Sequence, residues 1–364
     1  MSELAGNSVK NIASNNIVTI SLDAMGGDKA PDLVIEGAYI ASKTLKNINF
    51  KIYGNKKKIM PIMAKFSSLQ EICKIIHTEE FITSDEKPSN ALRKGKNSSM
   101  YMAINAVKAK EADAIVSAGN TGALMALSKF VLQTLPGIDR PAIGGILPTI
   151  KGYCIVLDLG ANIHCDAENL FEFAVMGNAF ARAVLGLARP SIGLLNVGTE
   201  KSKGHETLRL ASSLIEESEI DLNYYGFVEG NDINAGTVDV IVADGFTGNI
   251  ALKTAEGTSK FIANTIKQTI KSSPFGMLGA LVAAPAIAKI KKKMDPRSYN
   301  GAMFLGLNGI VVKSHGGTDE VGFANAIKVA YKLALNNINE QIIKEMVASG
   351  HSPEIDEDDE ICIL

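Results

Sequence analysis

The densest group of titratable side chains lies in Asn196-Val-Gly-Thr-Glu-Lys-Ser-Lys-Gly-His-Glu206, which carries Glu200, Lys201, Lys203, His205 and Glu206. Lysines so placed neutralise an anionic substrate, and an imidazole moves protons near neutral pH. A solvated loop carries the same residues without chemistry. A second chemistry is written in glycine. Gly119-Asn120-Thr121-Gly122 and Asp244-Gly-Phe-Thr247-Gly248-Asn249 each follow a short apolar run and open a helical one. Glycine lets backbone come close to a ligand, and the first amides of a helix lack intrahelical acceptors, so both turns are anion seats. Related turns stand at Asp23-Ala-Met-Gly26-Gly27-Asp28, at Asp158-Leu-Gly-Ala-Asn162 and at Asn196 to Glu200. Asp23 and Asp28 are placed to bind a metal or receive protons, or else to cap the turn and the helix after it. His315, between a strand end and two glycines, is a further proton-handling residue, and Thr318 or Asp319 caps the helix beyond it. No activated nucleophile is evident: His164 and Cys165 are adjacent only in sequence, which does not make a catalytic pair.

These turns need strands to carry them. Apolar runs at 17–22, 50–54, 72–78, 114–117, 142–147, 153–157, 190–197 and 238–243, and a late strand region at 302–313, meet that need. From Thr121 the apolar residues Leu124, Met125, Leu127, Phe130, Val131 and Leu132 recur mainly at three- and four-residue steps, which predicts a helix. A helix over 251–262 follows the Asp244 turn, and another is expected over 320–346. In an open parallel sheet the turns after strands gather at the carboxyl edge. Five glycine turns therefore predict one shared polar cleft.

With 364 residues the chain has room for a large core, in one α/β domain or two lobes. Its 46% hydrophobic and 21% charged residues are those of an ordinary globular protein. A formal charge of −2 and the absence of Trp give no general attraction to nucleic acid and no stacking platform for single strands. Cys73, Cys154, Cys165 and Cys362 form no CxxC pair, so neither a zinc knuckle nor a disulfide framework is indicated. Residues 1–16 are polar and lack the apolar core of a signal sequence, which favours the cytoplasm. We read 17–350 as a single catalytic α/β domain, 1–16 as a polar extension and 351–364 as an acidic, disordered tail.

The most apolar stretch, 275–288, runs into Lys289, Lys291, Lys292 and Lys293. Gly276, Gly279 and Pro285 interrupt it, and it is too short to span a bilayer. A helical insertion at about 273–296 is expected. It is either a hairpin buried at a subunit interface, or a segment that rests Phe275, Leu278, Leu281 and Val282 on lipid or an acyl chain while Lys289 and Lys292 meet anionic headgroups. At roughly 1 kcal/mol per lysine the attachment is reversible and salt-sensitive.

Leu22-Asp-Ala-Met-Gly-Gly-Asp28, Ser117-Ala-Gly-Asn-Thr-Gly-Ala123, Asp158-Leu-Gly-Ala-Asn162, Asn196 to Glu206, Ala243-Asp-Gly-Phe-Thr-Gly-Asn249 and Ser314-His-Gly-Gly-Thr-Asp319 together resemble the bacterial phosphate acyltransferase (PlsX) family, in register from about residue 17 to 350. The resemblance implies transfer of a long fatty acyl group from acyl carrier protein to inorganic phosphate, giving acyl phosphate for phospholipid synthesis. It implies an isocitrate-dehydrogenase-like or phosphotransacetylase-like fold, a large mainly parallel sheet flanked by helices. It also implies a homodimer, peripheral contact with the cytoplasmic membrane, a downstream glycerol-phosphate acyltransferase as partner, and no cofactor or metal. On this reading Asp23, Gly26, Gly27, Asn120, Thr121, Gly122, Asp158, Asn162, Asp244, Thr247, Gly248 and Asn249 bind substrate. Lys201, Lys203, His205 and His315 carry the charge stabilisation and proton transfer.

The residues accommodate that chemistry, because phosphate is itself the nucleophile and the protein has only to hold it against a thioester carbonyl and stabilise the oxyanion. Three rivals make different demands. A short-chain phosphotransacetylase takes coenzyme A thioesters. A decarboxylating dehydrogenase needs a nucleotide pocket and a metal cluster, for which Asp158, Asp232 and Asp244 are the available set. A membrane-associated scaffold needs no turnover at all.

Overall fold

The computed structural model describes residues 17–293 and 295–348, and not the side chains of 291–293 and 296; the polar extension and the acidic tail lie outside the described residues. Eleven strands form a continuous ladder: β1 (Val18–Asp23), β2 (Ile48–Gly54), β3 (Cys73–His77), β4 (Ala114–Ser117), β5 (Ala142–Pro148), β6 (Tyr153–Leu157), β7 (Ser191–Leu195), β8 (Asn223–Val228), β9 (Val240–Val242), β10 (Ala302–Leu305) and β11 (Ile310–Lys313). Their order is β3-β2-β1-β4-β11-β10-β5-β6-β9-β7-β8. The helices are α1 (Asp32–Ser42), α2 (Lys56–Met63), α3 (Ser67–Gln70), α4 (Pro88–Lys94), α5 (Ser99–Lys108), α6 (Thr121–Leu132), α7 (Ala167–Leu185), α8 (Glu206–Glu217), α9 (Gly230–Ala235), α10 (Gly245–Lys271), α11 (Pro274–Val282), α12 (Ala284–Lys293), α13 (Glu320–Leu335) and α14 (Ile338–Ala348).

The two outer groups of strands are parallel within themselves, as continuous apolar strands covered by helices should be. At the centre, β11–β10, β10–β5 and β5–β6 pair antiparallel. Three reversals leave β6, β9, β7 and β8 running opposite to β1, β2, β3, β4 and β11. β5 makes the junction: Ala142 to Gly144 pair with β10, and Gly145 to Pro148 pair with β6. A Cβ on Gly144 would stand 2.7 Å from Leu305 Cδ1, and one on Gly145 2.6 Å from Leu159 Cδ1, so glycine lets the ladder change partners there.

α7 is the main packing helix. An Asp166–Asn169 capping box starts it, Gly186 in a left-handed conformation ends it, and Phe171, Phe173, Met176 and Phe180 are fully enclosed along it. The helix expected over 320–346 is broken into α13 and α14 by Asn337, whose φ of 47° an asparagine tolerates. The single strand region expected at 302–313 folds back at Gly306 (φ 84°) into β10 and β11.

The apolar insertion forms a helical arm. α10 has 27 residues, about 40 Å at 1.5 Å per residue, and α11 and α12 fold back from its end. Its apolar side chains have no cover from this chain: Phe275 is 85% exposed and Leu281 73%. No helix of the described residues is long and apolar enough to cross a membrane.

Candidate functional site

β1, β4 and β11 are neighbours with their carboxyl ends level, Leu22 opposite Val116 and Lys313 opposite Ser117. Their three turns consequently meet at one edge. At the centre is Asp23, 1% exposed. Its Oδ1 accepts from Ser99 Oγ at 2.6 Å and from the Met25 amide at 3.3 Å; its Oδ2 accepts from Ser117 Oγ at 2.7 Å. A Cβ on Gly26 would fall 2.6 Å from both Asp23 Oδ2 and the Gly119 nitrogen, so this glycine lets the β1 and β4 turns touch. Ser98, not Ser99, caps α5, accepting from the Tyr101 amide at 3.2 Å. That leaves Ser99 free to bind Asp23.

Lys313 is the group that the sequence reading missed. It is half-buried, and its ammonium donates to the carbonyls of Ala118 (3.5 Å) and Ser314, in the field of Asp23 and Asp28. Burial pulls its pKa down to about 8, against the attraction of the two carboxylates. Burial also pushes Asp23 above the usual carboxylate range, against its hydrogen bonds and Lys313. The available signal was a lysine ending an apolar strand two residues before a histidine; at the end of such a run it reads as a solvent-facing terminus.

Around this pair, Thr121 is exposed at the start of α6, where the first amides have no intrahelical acceptor. Asn120 is spent otherwise: its Oδ1 accepts from the Ala123 amide at 2.9 Å, and its amide donates to the carbonyls of Ser84 (2.8 Å) and Glu86 (2.9 Å). It positions the turn instead of offering a side-chain donor to an anion. His315 is exposed. Its backbone N–H donates to Asn300 Oδ1 at 2.9 Å, and its Nδ1 accepts from the Gly317 amide at 3.1 Å, so in the neutral ring the proton sits on the outward Nε2.

The other turns occupy a different place. β6, β9 and β7 are neighbours, and Asp158 to Asn162, Asp244 to Asn249 and Asn196 to His205 follow them. Asp158 is fully buried. Its carboxylate accepts from the amides of Ile143, Gly160 and Ala161, each at 3.0 Å, from the Asn162 amide at 2.7 Å and from Asn162 Nδ2 at 2.9 Å. Asp244 caps α10, accepting from the Thr247 amide and hydroxyl, both at 2.8 Å. These seats already hold anions belonging to the chain, and an added phosphate would be repelled. Gly248 serves the same packing, since a Cβ there would lie 2.0 Å from the Asp158 carbonyl oxygen. Asp158, Asn162, Asp244, Thr247 and Gly248 thus all serve the fold at this edge. Asn249 remains exposed beside Gly160. Lys201 pairs with Glu216 at 2.9 Å in a largely exposed contact, and Lys203 and His205 are exposed without an ion pair among the described residues.

The expectation of one cleft within the chain is corrected here. From β4 to β9 the ladder takes five steps of about 4.8 Å, roughly 24 Å, and the strand direction has reversed on the way. One phosphate cannot touch both Thr121 and Thr247 of the same chain. Among the described residues no group of three or more His, Cys, Asp or Glu stands together as a metal site. Of the expected acyl- or membrane-facing residues, Phe275, Leu278, Leu281, Val282 and Lys289 are exposed on the arm, and the side chain of Lys292 lies outside the described residues.

The family model described as "Fatty acid synthesis protein" matches residues 18–341. The phosphate acyltransferase of Paramagnetospirillum magneticum is 57% identical over 328 residues, which cover 90% of this chain and 93% of that protein. That of Rhodospirillum rubrum is 51% identical over 332 residues, 91% and 95% of the two chains. Among solved structures, a phosphotransacetylase from Streptococcus pyogenes superposes with a TM-score of 0.62 at 18% identity, covering 88% of this chain and 94% of its own, and so shares the fold. EutD phosphotransacetylase from Staphylococcus aureus gives 0.57 at 17% identity, with 89% and 94% covered. By a match that runs nearly end to end and relatives more than half identical, this chain belongs to the fatty acid synthesis protein family, the family of the bacterial phosphate acyltransferases.

Proposed function

We propose that the chain transfers a long fatty acyl group from the thioester of an acyl carrier protein to inorganic phosphate. The observation that carries this is its 57% identity to a protein named phosphate acyltransferase over nine tenths of the chain. The Asp23–Lys313 edge supports it by offering a phosphate a seat. A phosphate on the amides of Thr121 and Gly122 has the Lys313 ammonium as a fixed countercharge, with Asp23 holding the three turns in register. A phosphate oxygen attacks the thioester carbonyl carbon; the C–O bond forms, the C–S bond breaks, and the departing thiolate takes a proton. The proton is the one that monohydrogen phosphate loses as the acyl phosphate forms, and His315, with its Nε2–H, is placed at this edge to hydrogen-bond the thiolate as it leaves. Positioned donors and charge supply such catalysis, on the order of 3 kcal/mol for each well-aimed donor.

The roles of Lys201, Lys203, His205 and Asn249 at the oxyanion and the leaving thiolate stand as proposals that need a second copy of the chain. The support for a homodimer is apolar exposure on this second edge and the root of the arm: Ile163, Val197, Phe246 and Ile250 are all uncovered. The arrangement proposed is a two-fold interface in which both edges take part, so that the second edge of one protomer meets the first edge of its partner.

Phosphate-dependent release of thiol tests the reading. Native protein is expected to use long-chain acyl carrier protein well and coenzyme A thioesters poorly. A preference for short coenzyme A thioesters would make it a phosphotransacetylase, and no turnover with any thioester would leave a scaffold.

The arm supports peripheral membrane contact at the cytoplasmic face, since the acyl phosphate is poorly soluble in water and is best handed to a glycerol-phosphate acyltransferase on lipid. Flotation with anionic vesicles is expected to be strong at low salt and lost in a Phe275→Ser/Leu281→Ser variant. Equal flotation of both proteins would remove the arm from this role.

A further inference from the structure

The loop and helix leading into the Asp23 edge carry a run of charge that the reaction itself does not use. From Lys87 to Lys110 the sequence has Lys87, Arg93, Lys94, Lys96, Lys108 and Lys110 and no acidic residue. Lys87, Arg93, Lys94 and Lys96 are exposed along α4 and the 3-10 turn Gly95–Asn97. Arg93 is folded onto its own helix, donating to the Ser89 carbonyl and to Asn90 Oδ1. None of the four forms an ion pair among the described residues. Glu79, Glu80, Asp85 and Glu86 precede them and pair with none of them. Exposed and unpaired, these charges present a positive face to a partner of opposite sign.

The position of this ridge is fixed by the catalytic edge. Pro88, the first residue of α4, packs on the Thr121 turn: a Cβ on Gly122 would be 3.0 Å from Pro88 Cγ. The Asn120 amide holds the carbonyls of Ser84 and Glu86 just before it. At the far end, Ser98 closes the 3-10 turn on the Gly95 carbonyl at 2.6 Å, and the next residue, Ser99, donates to Asp23. The basic ridge is thus tied at one end to the proposed phosphate seat and at the other to the carboxylate beneath it.

We propose that α4 and the turn after it are the docking face for the acyl carrier protein, recognised as an acidic carrier whose negative surface lies on Lys87, Arg93, Lys94 and Lys96 while its thioester arm enters at Thr121. This rests on the acyl-transfer reading above and adds the surface that receives the donor. Unpaired rim charges of this kind set association rate and its salt dependence more than they set the chemistry.

The test is charge reversal in the full chain, Lys94→Glu with Lys96→Glu, measured with two donors: acylated carrier protein and an N-acetylcysteamine thioester of the same acyl group. KM for the carrier-borne donor is expected to rise about tenfold or more with little change in kcat, and to lose most of its salt dependence, while the small thioester is used as before. Equal losses with both donors, or an unchanged KM for the carrier, would overturn the proposal. Binding of the holo-carrier without an acyl group gives a readout independent of turnover: if the native chain transfers no acyl group from either donor yet binds the carrier and the variant does not, the docking face stands and the reaction does not. A variant that binds carrier normally but no longer binds anionic vesicles would make the ridge a lipid contact.

Discussion

Replacing Lys313 with Met is expected to lower turnover about a hundredfold, with a raised KM for phosphate and a KM for the acyl donor that changes little. The side chain is nearly isosteric along its stem, so what is lost is the charge. Without it, Asp23 is left buried with no countercharge, the carbonyls of Ala118 and Ser314 lose their donor, and a bound phosphate faces carboxylates alone. The native pH profile should carry the same signature. With its pKa held down to about 8 by burial, Lys313 is protonated below that pH and loses its charge above it, so activity should fall on the alkaline side with that midpoint. The Met variant should lack this limb. A thermal melt separates catalytic loss from unfolding, since a folded variant that keeps more than a third of native turnover would remove Lys313 from the site.

The second large effect concerns where the site is completed. Lys203→Ala is expected to be nearly as inactive as Lys313→Met, yet the two inactive proteins should restore each other. After dissociation and reassociation, half of the dimers contain one chain of each kind. In such a dimer one site carries both defects and the other carries neither, so about a quarter of native activity returns. Recovery requires that the first edge of one chain works with the second edge of its partner. If the mixture stays inactive while mixed dimers demonstrably form, each site lies within one chain; if Lys203→Ala alone keeps near-normal turnover, the second edge has no part in the chemistry.

The sequence by itself determined the elements and the family. Apolar runs such as Ala114 to Ser117, each followed by a glycine turn and then by three- and four-residue spacing, are local signals, because side-chain period and turn chemistry act between near neighbours. They located β4, α6, β9 and the apolar insertion within a few residues, while α10 runs from Gly245 to Lys271, well beyond the expected 251–262 at both ends. The run of motifs from Asp23 to Asp319 likewise pointed to phosphate acyltransferases. Only the tertiary structure decided which turns meet. The direction of a strand in the ladder depends on its partners, and nothing in Ala302 to Leu305 announces that β10 runs against both its neighbours and, with β5, sends β6 and β9 the other way. The same non-local pairing made Lys313 a half-buried cation in the field of Asp23, 290 positions earlier in the chain, and made Asp158 and Asp244 hydrogen-bond acceptors for the chain's own backbone. Charge, burial and hydrogen-bond supply at a residue are set by whatever the fold brings beside it. A sequence read along its length fixes what each residue is able to do, and the contacts across the ladder select which of those abilities are left free for a substrate.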